Sequence, residues 1–289
     1  MATRLEGLVS AAVLAERQAA EARALARVCN DFEGLDLKLA IPTTPQQISA
    51  EPRAFLWYAG GALVGYAGLD HWGGVEGELC GMVHPDHRRR GLGRALLAAV
   101  VGICGARGIT RLLLVCENAS GSSRAFAAAV GARLSSSELH MERDASPIEV
   151  AADPALVVRP AGADDADALV RILVEAFGDD EGHVRRRVSG ELGDATQPFY
   201  LALVAGRPAG ALKTYQMEDE IGIYAFAVLP GEQGHGLGRR MLARLVDRLR
   251  GQAGRFALEV DPDNAPAIAT YRACGFAITT TYGYYALDV

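Results

Sequence analysis

The stretch AGGALVGYAG at residues 59–68 returns at 204–213 as VAGRPAGALK, with Gly61 aligned on Gly206 and Gly65 on Gly210. The same offset of 145 aligns Val83 and Pro85 with Val228 and Pro230, and Gly91 and Gly93 with Gly236 and Gly238. It continues through an apolar run, where Leu92, Leu96, Leu97, Val100 and Val101 fall on Leu237, Met241, Leu242, Leu245 and Val246. A period this long describes a duplicated domain rather than a solenoid. With roughly 100–200 residues per domain, the 289-residue chain suits two domains. The boundary is expected in DASPIEVAADPA (144–155), rich in prolines, small and acidic residues. That gives halves 1–146 and 154–289.

Half of the residues are hydrophobic and 22% are charged, so either half can bury a core. A net charge of −6 argues against a broad nucleic-acid surface. Cys29, Cys80, Cys104, Cys116 and Cys274 are odd in number and form no C-x-x-C pair. They read as reduced core thiols of a cytoplasmic protein, with no metal site and no disulfide framework. That compartment leaves the sequon Asn118-Ala119-Ser120 inert. Charges interrupt the first 28 residues every few positions, which predicts a soluble helix and neither a signal peptide nor a membrane span.

In the second half the pattern predicts a strand at 156–160, helices at about 163–177 and 182–191, and two strands around Ala205-Gly206-Arg207-Pro208. EIGIYAFAVLP is a third strand. A glycine loop and a helix at 236–251 follow, with apolar residues at 237, 241, 245 and 249 on one face. RFALEV is a strand; a helix with Asn264 as N-cap and Gly275 just past its end precedes the closing strand. The first half repeats this from its hairpin onward, but opens with a long helix where the second has strand then helix. The expected fold class is α/β (α+β).

Both glycine loops run from a strand into an apolar helix, which aims backbone N–H groups and a helix dipole at one point and suits a phosphate or pyrophosphate. Known nucleotide loops do not fit. After Gly236 stand Leu237 and Gly238 rather than Lys and Ser/Thr, and Gly236-Leu237-Gly238 is followed by Arg239, Arg240 and Met241 rather than a third glycine in register. The shared pattern is [Q/R]-x-x-G-x-G: Arg88-Arg89-Arg90-Gly91-Leu92-Gly93 and Gln233-Gly234-His235-Gly236-Leu237-Gly238, each after a strand ending in Val-x-Pro.

This pattern resembles the acetyl-CoA-binding motif of the GNAT superfamily of acyltransferases. The downstream run Asn264, Ala267, Tyr271, Gly275, Phe276 is similar to the superfamily's second cofactor motif. The likeness spans most of the second half and about residues 53–143 of the first. It implies two tandem GNAT-like domains, each a mixed, mostly antiparallel central sheet flanked by helices. It also implies an acetyl-CoA-dependent N-acetyltransferase. The pyrophosphate would rest on the N–H groups of Gly234, His235, Gly236, Leu237, Gly238 and Arg239, bordered by Gln233 and Asn264. The pantetheine arm would pair with Ala227, Val228 and Leu229, and the N–H near Val228 would polarise the acetyl carbonyl. An amine of a small-molecule acceptor would attack directly, and Tyr271 takes the role of general acid toward the leaving thiolate. In the first half, Val83, Arg88, Arg89, Arg90, Gly91, Gly93 and Arg94 would form the matching anion site.

The halves differ in chemistry. Counted from Asn118 as partner of Asn264, the Tyr271 position becomes Ala125; counted back from Gly131 it becomes Ala127. The first half therefore keeps a site and lacks the hydroxyl, and its Glu78 and His84 are read as structural. In the second half Glu220 is the candidate general base, sharing a strand face with Gly222 and Tyr224, and with Glu218 if the strand extends that far. His235 edges the phosphates. Tandem halves, VHPDHRRRGLG, DNAPAIATYRACGF and the ending TTTYGYYAL resemble the mycothiol synthase family, which acetylates the cysteinyl amine of a sugar–inositol thiol precursor. That family carries a strand glutamate where this chain has Gly222. The alternative reading is a non-catalytic acyl-CoA-binding or sensing protein, marked by tight binding without turnover. No partner beyond the acceptor is expected, neither nucleic acid nor membrane, and the chain would be a monomer or homodimer.

Overall fold

The computed structural model describes residues 5–43, 51–71, 73–151, 153–217 and 219–289. The chain forms two compact units: residues 1–138 with 280–289, and residues 139–279. The units are thus not contiguous halves. A division at 146 misses this because the sequence marks strands but not the partner each strand chooses.

Unit 1 opens with β1 (Gly7–Ala11), then α1 (Glu16–Glu33). This corrects the expected long opening helix. The five strand residues alternate half-buried and exposed, a signal too short to register beside the alanine- and glutamate-rich run that follows. Both halves therefore open with strand then helix. Next come β2 (Ala54–Ala59), β3 (Ala62–Asp70), β4 (Glu76–Val83), α2 (Leu92–Arg107), β5 (Arg111–Glu117) and α3 (Gly121–Ala129). Every pairing in this sheet is antiparallel except β4 with β5. Its last member is supplied by the chain's final strand, β12 (Ala277–Asp288), whose Tyr282–Asp288 pair with β5.

Unit 2 begins inside β6 (Arg133–Asp144), whose residues from Leu139 onward pair with β11 (Arg255–Val260). It holds β7 (Leu156–Pro160), α4 (Ala166–Phe177), α5 (Glu181–Glu191), β8 (Phe199–Val204), β9 (Arg207–Met217), β10 (Glu220–Val228), α6 (Leu237–Leu249) and α7 (Ala265–Ala273). The sheet order is β6-β11-β10-β9-β8-β7, antiparallel apart from β10 with β11. The α6 stripe of Leu237, Met241, Leu242, Leu245, Val246 and Leu249 is buried against Ile221, Ile223, Phe256 and Leu258 of that sheet. Burial of each such side chain contributes about 1.5–3 kcal/mol, so the loop in front of α6 sits on a fixed support. All five cysteines are free and buried.

Candidate active site

In unit 2, β10 and β11 run parallel and in register only from Glu220↔Arg255 to Ile223↔Leu258. Beyond that point β11 pairs onward with β6, while β10 shifts register against β9 between Tyr224 and Ala227. The shift is a bulge, with Ala225 at φ 47°. Bulges bend a strand and often border active sites. Here the edge of β10 facing β11 is open along Ala227 and Val228. The Leu229 N–H bonds Ala209 on the β9 side at 2.9 Å. Alternation along a strand therefore turns the Val228 N–H toward the open side.

The chain next makes a short 3-10 turn, Pro230–Glu232, and a loop. Gln233 Nε2 donates to the Val228 carbonyl at 2.9 Å and ties the loop back to the strand. Gly234 and Gly236 sit at φ 77° and 70°, the left-handed region that favours glycine. Gly234, His235 and Gly236 are exposed; Leu237 is buried, so only its N–H faces the loop. Among the described residues, none of the six N–H groups from Gly234 to Arg239 has a hydrogen-bond partner; the first to find one is Arg240, bonded to the Gly236 carbonyl. A row of unpaired donors at the start of a 13-residue helix fits a pyrophosphate. Gly238 packs beside Phe226 and Thr270, and Arg239 donates to the Glu149 carbonyl.

Tyr271 stands on α7 with its ring against Phe226 of β10 and Phe276, at centroid distances of 6.0 and 6.1 Å. Asn264 Oδ1 caps this helix by accepting from Ala267. Tyr271 is 7% exposed, and among the described residues its hydroxyl has no hydrogen-bond partner. Burial, with a smaller contribution from Cys274, pushes the phenol up to about 12. It is therefore protonated throughout the working range, as a proton donor must be. An unfolded tyrosine loses its proton near pH 10. Between about pH 10 and 12 the unfolded chain releases a proton that the folded one keeps, so stability falls as pH rises through that window and is untouched below it. We expect Tyr271→Phe to lessen the decline by about 2 kcal/mol at pH 11.5. Urea midpoints of both proteins at pH 8 and pH 11.5 check this; parallel declines would contradict it.

The carboxylates are arranged differently from the pattern in the sequence. Glu220 lies at the start of β10, three residues before the strands part, and is ion-paired with Arg255 at 2.8 Å. Tyr224 lies across Gly222: a Cβ there would meet its ring at 2.6 Å. Glu218 lies outside the described residues. Sequence reasoning missed Glu259, the first β11 residue past the parting and on the face opposite the core-facing Leu258. His140 of β6 is its cross-strand neighbour, with Nδ1 3.9 Å from Glu259 and Nε2 3.1 Å from Glu142. The only sequence signal for this group was an i, i+2 pair, His140 and Glu142, on a strand assigned to the other half.

Unit 1 repeats the architecture. The β4–β5 pairing stops at Leu79↔Leu114, and His84 N–H bonds Val64, which turns the Val83 N–H to the open side. Arg88 Nε bonds the Val83 carbonyl at 3.0 Å, the counterpart of Gln233 on Val228. Its guanidinium also binds Glu33 and lies 3.3 Å from Ser122. Burial opposes ionisation of Glu33, yet hydrogen bonds from Arg88, Ser122 and Ser120 together hold it below the usual carboxylate range. Arg89 and Arg90 are exposed, and Arg89 adopts φ 62° where the other loop has Gly234. The N–H groups from Arg89 to Arg94 are again unpaired among the described residues. Gly91 is left-handed at φ 87°, Gly93 faces Phe126, and Arg94 donates to the Ala129 carbonyl. The N-cap of α3 is Ser120, not Asn118, and this settles the register: Ala127, fully buried, occupies the Tyr271 position.

A strand parted from its parallel neighbour, a loop of unpaired N–H groups and a helix behind it are thus present in each unit. The acetyltransferase (GNAT) family model matches residues 21–132 and 166–276, and the chain belongs to that family. Its curated relatives include the mycothiol acetyltransferases of Kineococcus radiotolerans, 37% identical over 78% of this chain and 78% of that one, and of Streptomyces griseus, 33% identical over 78% and 76%. In fold it is similar to a GCN5-related N-acetyltransferase from Sphaerobacter thermophilus, with a TM-score of 0.72 and 19% identity over 97% of this chain and 95% of that one. A tandem GNAT protein from the clavulanic acid biosynthesis pathway gives 0.70 and 20% over 97% and 98%. The chain is an N-acetyltransferase that uses acetyl-CoA as cosubstrate, and a non-catalytic sensing role is not favoured. Among the described residues no helix is long and apolar enough to cross a membrane.

Proposed function

We propose that unit 2 transfers acetyl to the primary amine of a small molecule by direct attack, while unit 1 keeps an anion site without chemistry. The observation that carries this is the asymmetry between Tyr271 and Ala127 at one position of two otherwise matched frameworks. Acetyl-CoA supplies an activated thioester. The N–H groups of Gly234 to Arg239 hold its pyrophosphate and Ala227–Leu229 border its arm. The Val228 N–H polarises the carbonyl oxygen, a contribution of about 10²–10³ in rate for one such donor. Tyr271 delivers its proton to the departing sulfur. Glu259 is the better-placed carboxylate to take the amine's proton, since it sits where the strands part, whereas Glu220 is spent on Arg255 before that point. In unit 1, Val83, Gly91, Gly93 and the Arg88–Arg90 run would hold a phosphate-bearing ligand.

The acceptor we favour is the cysteinyl amine of a sugar–inositol thiol, on the strength of the mycothiol acetyltransferase relatives. Five buried free thiols suit a protein that works in the reducing cytoplasm. Acetylation of that compound should exceed that of simple primary amines by 10²-fold or more in kcat/KM. In the same assay Glu259→Gln should lose about 10²-fold or more and Glu220→Gln much less. Equal rates on all amines would remove the acceptor, and the reverse order of losses would return the base to Glu220.

A further inference from the structure

We propose that the segment leading into β7 builds the nucleotide end of the acetyl-CoA site in unit 2, with Arg239 and Arg240 as receptors for the 3′-phosphate of the coenzyme. This rests on the reading that acetyl-CoA occupies the Gly236 loop. The arm enters the opening along β10 toward Val228, and the pyrophosphate rests on the loop. The adenosine end must then leave on the far side of that loop. Beside that loop the structure has an open cavity of about 500 Å³, lined by Glu149, Val150, Ala151, Gly236, Arg239 and Arg240. Its size falls within the range of sites for nucleotide-sized ligands.

The wall is anchored. Arg239 Nη2 donates to the Glu149 carbonyl at 2.9 Å, Arg240 Nε pairs with the Asp153 carboxylate at 3.1 Å, and Arg244 Nη2 donates to the Asp153 carbonyl at 3.2 Å. Arg240 also reaches the His235 carbonyl at 2.8 Å and lies over Gly236, so its guanidinium borders both loop and cavity. Each arginine keeps donors beyond these contacts, because a guanidinium carries five. Two guanidiniums converging on one space suit a dianionic phosphomonoester, which accepts several charge-assisted hydrogen bonds. Glu149 is the one carboxylate lining the cavity, and it suits an amino or hydroxyl group of the nucleoside rather than the phosphate.

The test is calorimetric titration with acetyl-CoA and with 3′-dephospho-acetyl-CoA, using the full chain carrying Gly91→Asp so that only the second loop reports. The parent should bind acetyl-CoA about 10–100-fold more tightly than the dephospho form. Arg239→Gln and Arg240→Gln should each shrink that ratio several-fold by weakening acetyl-CoA alone. Asp153→Asn should alter it too, by freeing Arg240 from its anchor. Equal affinity of the parent for both ligands overturns the proposal while leaving the loop assignment intact, as does a ratio unchanged in both arginine variants. Binding of neither ligand overturns the loop assignment and this proposal together.

Discussion

Gly236→Asp should weaken acetyl-CoA binding in unit 2 by at least about 10²-fold, with little change in the melting temperature. The two halves of that expectation have separate causes. Gly236 is the left-handed N-cap of α6 at φ 70°, and aspartate tolerates that conformation at a cost of about 1 kcal/mol. A cap carboxylate also accepts from the first N–H groups of a helix, which offsets the strain. The fold is therefore kept. The ligand should lose twice, because the new carboxylate would consume the donors we assign to the pyrophosphate and place like charge beside it. Two or three charge-assisted hydrogen bonds at about 1.5–3 kcal/mol each amount to about two to six orders of magnitude. Gly91→Asp makes the same change in unit 1. Titration of both variants separates the loops, and full-strength binding by Gly236→Asp alongside loss in Gly91→Asp would move the working site to unit 1.

Tyr271→Phe should lower kcat by about 10²-fold or more and leave acetyl-CoA affinity within about twofold. The ring keeps its packing against Phe226 and Phe276, so what disappears is the hydroxyl alone. A second signature distinguishes proton donation from packing. With an acceptor analogue or thioester whose leaving group needs no proton, the variant should recover most of the lost rate. Unchanged kcat with the natural thioester would take Tyr271 out of the chemistry.

Much of this was legible in the sequence because it rests on local rules. The repeat offset located both loops, and their unpaired N–H groups follow from glycine placement and helix geometry alone. The buried stripe of α6 is the apolar period at 237, 241, 245 and 249. What was not legible depended on pairings between distant strands. Glu220 looked suitable on a one-strand argument, but Arg255 across the β10–β11 ladder claims it. Glu259 and His140 are neighbours only because β6 docks on β11, more than a hundred residues away in the chain. Asn118, aligned in sequence with Asn264, is not its structural counterpart: Ser120 caps α3, its side chain accepting from the Ser123 N–H.

The strand exchange has a consequence for how the chain is made. The edge of β5 is covered by Tyr282–Asp288, which are synthesised about 165 residues after β5 ends at Glu117. Until they emerge, unit 1 carries a bare strand edge, the kind of surface that invites pairing between nascent copies. At about 5–20 residues per second, the stretch between the end of β5 and Tyr282 keeps that edge uncovered for about 8–30 seconds. Removing Tyr282–Asp288 would accordingly damage the unit that holds β5 first and show as aggregation during expression.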